Sequence, residues 1–387
     1  MKRKAVVRLP FGLVCAALLL AAGVATGSMR TDEAASPCDG WPEWRRFKQH
    51  YLSEDGRVID ASVPGRVTVS EGQAYGLMFA LIANDRAAFD KILGWTQVNM
   101  ANGHLDLALP AWKWGRAEGG ESSVLDPHSA ADADLWFAYA LGESARLWHE
   151  NSYGQLARAM AGLILRDEVA WIPELGATLI PGPIGFVSEQ TWRLNASYSP
   201  VQVLRAIRQG NDPTWKSVLQ SSLRVIEASS PRGYASDWVS YRPLEGFISD
   251  SSTLGVGSYD AIRVYLWAGM LAEGDSEAAA LRRRLEPMVA AAAQDGPPEF
   301  IDTQTLAVRG SAQPGFLAAL LPLLAHVKQS AALESYRKIV MTRALSDDQH
   351  YYSDALTLFG LGWLDGRYRF DRRGHIRVSW GESCRAH

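Results

Sequence analysis

The chain has 387 residues, 47% of them hydrophobic and 21% charged, with a formal net charge of −3. That composition suits a globular protein with a sizeable core, and the absence of a basic run argues against nucleic acid or an anionic membrane surface as partner. Fourteen Trp and thirteen Tyr exceed what an average core asks for; flat rings with a polar edge suit core packing and also the stacking of sugar rings.

The first residues read as an export signal. Met1-Lys2-Arg3-Lys4 and Arg8 are basic, Leu9 to Val24 is apolar, and Ala25-Thr26-Gly27 offers small residues for cleavage after Gly27. The apolar run is short for a spanning helix, which needs about 20 residues; an uncleaved anchor stays open as the alternative. Cys15 lacks a preceding small residue, which speaks against a lipoprotein. A signal peptide over 1–27 and a single domain over 28–387 are expected, in a periplasmic or secreted protein. Cleavage leaves Cys38 and Cys384, which an oxidising compartment would pair; two free thiols that never approach are the alternative.

From Trp41 onward apolar residues recur at helical spacing. Helices are expected over 41–52, 71–84, 86–101, 131–149, 154–168, 198–209, 213–228, 258–272, 276–293, 314–327, 331–342 and 351–364. Residues 104–130, 171–195, 230–257 and 295–312 read as extended or looped, and 368–378 as a short hairpin. Polar turns such as Asn84-Asp85-Arg86 and Glu273-Gly274-Asp275 join helices in pairs. Six such pairs predict an all-α toroid, the (α/α)6 barrel, with no sequence repeat to mark it.

Three acids open helices in similar settings. Glu71 lies in Ser70-Glu71-Gly72-Gln73-Ala74-Tyr75-Gly76, Asp132 in Ala131-Asp132-Ala133-Asp134-Leu135-Trp136, and Asp260 in Ser258-Tyr259-Asp260-Ala261-Ile262-Arg263. Each alone could be a helix cap, since acids suit the positive end of a helix. Their separations of 61 and 128 residues, however, are close to one and two hairpin periods of about 60 residues, which would bring all three to one mouth. Clustered carboxylates fit hydrolysis of a glycosidic bond, where one acid donates a proton and another activates water or attacks the sugar. The helix dipole lowers a carboxyl pKa, so Glu71 can serve as acid only if burial and like charge, from Asp132 and Asp260, outweigh it. Asp134, two residues past Asp132, points to a different side and reads as a cap or a support.

The segments around Glu71, Asp132 and Asp260, with Leu109-Pro110-Ala111-Trp112-Lys113-Trp114-Gly115, resemble glycoside hydrolase family 8. The likeness spans nearly all of the mature chain, including a cysteine near each end. Within the family the chain looks most like the secreted endo-1,4-β-glucanases of bacterial cellulose-synthesis operons. The resemblance implies an inverting, cofactor-free enzyme acting on β-1,4-glucan, with Glu71 as proton donor, Asp260 as base and Asp132 holding the sugar at the cleavage point. Arg263, one turn after Asp260, is placed to orient or charge-pair the base and is counted with the substrate-binding candidates; an exposed i,i+3 pair is the alternative. One departure is that Ala131 and Phe137 stand where the family signature carries Ser or Thr and Ile or Met.

Trp112, Trp114, Tyr198, Tyr259 and Tyr351 are the candidate sugar contacts, since they lie in loops or at helix starts; of Tyr351 and Tyr352, one is expected to face the groove and the other to pack. Trp95, Trp136, Trp148 and Trp267 lie inside helices and read as structural. The eight His are scattered without metal-ligand spacing, so no metal is expected. The expected partner is a cellulose chain, with the cellulose synthase or export complex as a further one, and a monomer is expected with no membrane contact after signal cleavage. A chitosanase or xylanase of the same family, or an inactive glucan-binding component of the export machinery, are the rival readings.

Overall fold

The computed structural model describes residues 40–117, 120–208, 212–344 and 350–382. The stretch 1–27 read as an export signal, and both Cys38 and Cys384, lie outside them. Twelve helices account for most of the described chain: α1 (Pro42–Tyr51), α2 (Ser70–Ile82), α3 (Arg86–Met100), α4 (Ala131–Trp148), α5 (Asn151–Asp167), α6 (Val201–Ile207), α7 (Thr214–Ser229), α8 (Ala261–Met270), α9 (Ser276–Asp295), α10 (Pro314–His326), α11 (Ser330–Ala344) and α12 (Tyr351–Leu364). A four-residue helix, Ser379–Glu382, follows.

The even-numbered helices form an inner ring. α2 packs on α4, α4 on α6, α6 on α8, α8 on α10 and α10 on α12. Phe359 of α12 closes it with ring centroids 5.1 Å from Tyr75 and 4.7 Å from Phe79 of α2. Inner helices are buried almost all round: α8 from Ala261 to Met270, and α2 at every residue except Glu71. The outer partners α1, α5 and α7 are amphipathic, as one-sided burial requires. This is the expected (α/α)6 barrel.

Its axis is filled, not hollow. The Phe359 ring also lies 5.4 Å from Trp136 and 5.3 Å from Trp267, so aromatics from four inner helices meet at one point. Trp136 and Trp267 are therefore core, as their positions in helices suggested. Next to Phe359, Gly360 lets two inner helices touch: a Cβ there would stand 1.9 Å from the Ala318 carbonyl oxygen of α10.

The looped stretches fold into short antiparallel sheets at the helix connections. β1 (Thr68–Val69), β2 (Lys113–Arg116) and β3 (Ser122–Asp126) form one sheet that leads into α2 and α4. β4 (Val169–Ile172) and β5 (Gly176–Leu179) form a hairpin after α5; β6 (Val187–Ser188), β7 (Thr191–Leu194), β8 (Val239–Arg242) and β9 (Gly246–Ser249) form a four-stranded sheet. β10 (Val256–Gly257), β11 (Pro298–Asp302) and β12 (Val308–Ser311) make a third sheet beside the start of α8. The terminal hairpin expected from sequence is β13 (Tyr368–Phe370) with β14 (Ile376–Val378).

The outer helices α3 and α9 start with capping aspartates: Asp85 accepts from the Ala88 N–H and Asp275 from the Ala278 N–H. No side chain at the N-cap position caps α2, α4 or α8. The acids at those three starts are left for other work.

Candidate active site

Glu71 is the second residue of α2, Asp132 the second of α4, and Asp260 immediately precedes α8. All three inner helices start at the same end of the barrel, where a cavity of about 390 Å³ is lined by Glu71, Tyr75, Tyr259, Asp260, Arg263, Tyr351 and Tyr352. A larger cavity of about 720 Å³ lies at the far ends of α8, α10 and α12, lined by Met270, His326 and Trp363, away from these acids.

Arg263 ties the cluster together. Its Nη1 donates to Asp132 Oδ2 at 2.7 Å and to the Tyr75 hydroxyl at 3.2 Å, and its Nη2 donates to Asp260 Oδ1 at 2.7 Å. Asp132 and Arg263 are both buried, whereas the Asp260 side chain is 30% exposed. A planar fork with fixed donors is what holds two carboxylates from different helices at once.

Glu71 takes no bond from Arg263. The Trp112 indole N–H donates to its Oε1 at 3.2 Å, and the Ser70 hydroxyl lies 3.4 Å from Oε2. Burial first, then the charge of Asp132, pushes its pKa up to about 8, against the backbone N–H groups, Arg263 and Trp112, which all favour the ionised form. Asp260, which was expected to add to that rise, is not among its main causes. Glu71 is therefore a protonated acid at neutral pH.

Asp132 lies beneath the cavity floor. Its Oδ1 accepts the Ala133 N–H and its Oδ2 accepts from Arg263, so both oxygens are engaged by protein. Each oxygen keeps a second lone pair, so these bonds leave the sugar contact implied for it by resemblance open, although Asp132 does not itself line the cavity.

The aromatic candidates divide. Trp112 touches Glu71. Trp114 lies on β2 with its ring 5.2 Å from Trp95 and 4.2 Å below the Arg57 guanidinium, and it does not line the cavity. Tyr198 lies 5.6 Å from the Arg263 guanidinium, and burial together with Asp132, Glu71 and Asp260 keeps its hydroxyl protonated. Tyr259 donates to Glu299 Oε1 at 2.8 Å and accepts from Gln313 at 3.1 Å. Tyr351 and Tyr352 both line the cavity, against the expectation that one would only pack. The Tyr351 hydroxyl fits against Gly72, where a Cβ would stand 2.3 Å away. The Tyr352 hydroxyl donates to the Tyr259 carbonyl.

Several site residues escaped the sequence reading. Tyr75 follows Glu71 by one helical turn, a spacing that could have flagged it. Asp237 accepts the Ser258 and Ala261 N–H groups at 2.8 Å each, and so caps α8 from a distance. Burial raises its pKa to about 6, with Asp260 adding to the rise against the Ala261 and Ser258 N–H groups. Phe186 stacks on Trp238 at 5.8 Å with Arg193 over the other ring at 3.9 Å, and Trp238 lies 6.0 Å from Tyr198. No local pattern announces that stack.

Comparison with known proteins agrees with this geometry. Residues 20–366 match the glycosyl hydrolases family 8. The chain belongs to that family. A family 8 endoglucanase would be expected among its relatives, and proteins named endoglucanase are similar to it. That of Xanthomonas axonopodis pv. citri (strain 306) is 43% identical over 94% of each chain. That of Escherichia coli (strain K12) is 39% identical over 95% of this chain and 98% of its own. The crystal structure of an endo-1,4-D-glucanase from Vibrio fischeri ES114 superposes with a TM-score of 0.83 at 41% identity, covering 88% of this chain and 99% of the other. This family 8 member is a glycoside hydrolase.

Proposed function

We propose that the protein cleaves internal β-1,4 bonds of glucan chains with inversion at the anomeric carbon. The observation that carries this reading is a carboxyl held protonated, Glu71, on the wall of the cavity that a guanidinium-held carboxylate, Asp260, also lines. The endoglucanase names of relatives about 40% identical over nearly the whole chain support the substrate.

Glu71 donates its proton to the leaving glycosidic oxygen as the bond to the anomeric carbon breaks. Asp260 accepts a proton from water, which attacks that carbon from the opposite face. Inversion calls for two carboxyls about 6.5–9.5 Å apart, leaving room for the water. Arg263 orients Asp260, while Asp132 anchors Arg263 from below and keeps the Glu71 proton in place by its charge. Tyr198, Tyr259, Tyr351 and Trp112 supply the hydroxyls and rings that hold the sugars. No step calls for a metal or cofactor.

The test is Glu71→Gln on carboxymethyl-cellulose, with the anomer of the new reducing end followed by NMR in the unsubstituted protein. Loss of hydrolysis in the variant and α-anomer appearing first are expected. Full activity of the variant, or β-anomer first, would overturn the reading.

The basic start, apolar run and small residues of 1–27 support export to the periplasm or beyond, where a monomeric enzyme would trim cellulose as it is made. Export also supports a Cys38–Cys384 disulfide. Alkylation of both thiols without reductant would disprove the bridge.

A further inference from the structure

Asp260, the proposed base, occupies the N-cap position of α8, yet its carboxylate caps nothing there. An aspartate at such a position ordinarily turns its side chain back onto backbone N–H groups of the first turn. At the start of α4 a related contact is made: Asp132 Oδ1 accepts the N–H of the next residue, Ala133, at 3.0 Å. The corresponding N–H after Asp260 belongs to Ala261, and a different carboxylate takes it, Oδ1 of Asp237 at 2.8 Å. The same oxygen accepts the Ser258 N–H, also at 2.8 Å. One acceptor atom thus bridges the backbone on both sides of the base.

Asp237 lies between α7 and β8 and is itself held in place. Its N–H donates to the Val256 carbonyl at 2.9 Å, on the strand β10 that leads into α8. Two residues earlier, the Ala235 N–H donates to the Tyr265 hydroxyl of α8 at 2.7 Å. The Ala235 carbonyl oxygen approaches Gly257 so closely that a Cβ there would stand 2.0 Å away. The stretch 235–237 therefore clamps both the strand before the base and the helix after it. Other N–H groups of the first turn have carbonyl partners, Ile262 on Ser258 at 3.0 Å and Arg263 on Asp260 at 3.1 Å. Among the described residues, only Arg263 hydrogen-bonds the Asp260 carboxylate.

We propose that Asp237 is a positioning residue for the water-activating step: it takes over the capping of α8, so that the Asp260 carboxylate keeps one oxygen for Arg263 and the other for the attacking water. The proposal rests on the reading of Asp260 as base given above. An ionised acceptor makes stronger bonds to backbone N–H groups than a neutral one, which suits a contact that must outcompete the carboxylate next door. Without Asp237, the unpaired Ala261 N–H draws the Asp260 carboxylate back, as Ala133 draws Asp132, and the proton acceptor leaves the water. Sugar binding and proton donation by Glu71 are untouched.

Steady-state kinetics of the full chain on a soluble cello-oligosaccharide and on β-cellobiosyl fluoride test this. In the fluoride, the bond from the anomeric carbon to fluorine breaks and fluoride leaves with the electron pair, needing no proton from Glu71. The water oxygen bonds to that carbon and its proton goes to Asp260. Asp237→Ala should lower kcat by about a hundredfold on both substrates, with KM within about twofold of the unsubstituted enzyme. Glu71→Gln, in contrast, should turn over the fluoride. Asp237→Asn keeps a side-chain oxygen that accepts N–H groups, and should recover about tenfold over Asp237→Ala while staying below the unsubstituted enzyme.

An unchanged kcat in Asp237→Ala, a loss confined to KM or to the oligosaccharide, or no recovery in Asp237→Asn would overturn the proposal. Failure of the underlying reading shows separately, as undiminished turnover of the fluoride by Asp260→Asn. Should Asp237→Ala fail to fold, Asp237→Asn decides by itself: a several-fold loss of kcat on both substrates at unchanged KM is expected, and an unchanged kcat defeats the positioning role.

Discussion

The indole N–H of Trp112 lies 3.2 Å from Oε1 of Glu71, and it opposes the very property that Glu71 needs. A donor stabilises the ionised carboxylate and lowers its pKa. On the proposed role of Glu71 as proton donor, the rate falls as pH rises through its pKa, near 8 in the free enzyme. Trp112→Phe keeps a ring at the site and removes the donor. The basic limb of kcat/KM should then move to higher pH by about half a unit to one unit, the worth of one hydrogen bond. A limb that stays put or moves down would refute the contact's role.

A carboxyl kept neutral by burial also leaves a mark on stability. The folded pKa of Glu71 is about 8, against an ordinary value near 4.5 in the unfolded chain. Between those values the native state binds more protons than the unfolded state, so Glu71 makes stability fall as pH rises through that window. Glu71→Gln removes this penalty. Denaturant unfolding should show the variant gaining on the order of 4 kcal/mol near pH 8 and little near pH 4, as expected where a functional group is held against its preference. A difference independent of pH would contradict it.

Arg263 holds Asp132 and Asp260 with different nitrogens of one fork. Lysine offers a single point charge and cannot span both. Arg263→Lys should lower kcat/KM by about a hundredfold or more while the protein still folds. Arg263→Ala leaves buried Asp132 without its cation and should cost about 3–5 kcal/mol in unfolding experiments. Near-normal turnover in Arg263→Lys would mean that the bridge is not needed.

Much of this protein is written locally in its sequence. The apolar runs that mark helices over 71–84 and 351–364 agree to within two residues with α2 (Ser70–Ile82) and α12 (Tyr351–Leu364), since inner helices of a barrel are apolar on every side. The phase of Glu71, Asp132 and Asp260 follows from the repeat of helical pairs, so their meeting at one mouth was legible without a structure. What Ser70 and Glu71 do there was not. The sequence offers them as a cap, yet α2 has no side-chain cap and the Ser70 N–H instead donates to the Trp112 carbonyl.

The tertiary structure alone decided the chemistry of each acid. Whether a carboxyl is ionised depends on its solvent, its charged neighbours and its donors, and those come from segments far away in the chain. Arg263 reaches Asp132 across 131 positions, Trp112 reaches Glu71 across 41, and Ser129 reaches Glu168 across 39. Four acids near helix starts or ends look alike in sequence. Packing buries the Glu71 carboxyl against the Trp112 indole and holds Asp260 on Arg263, because only packing fixes which acid meets a cation and which does not.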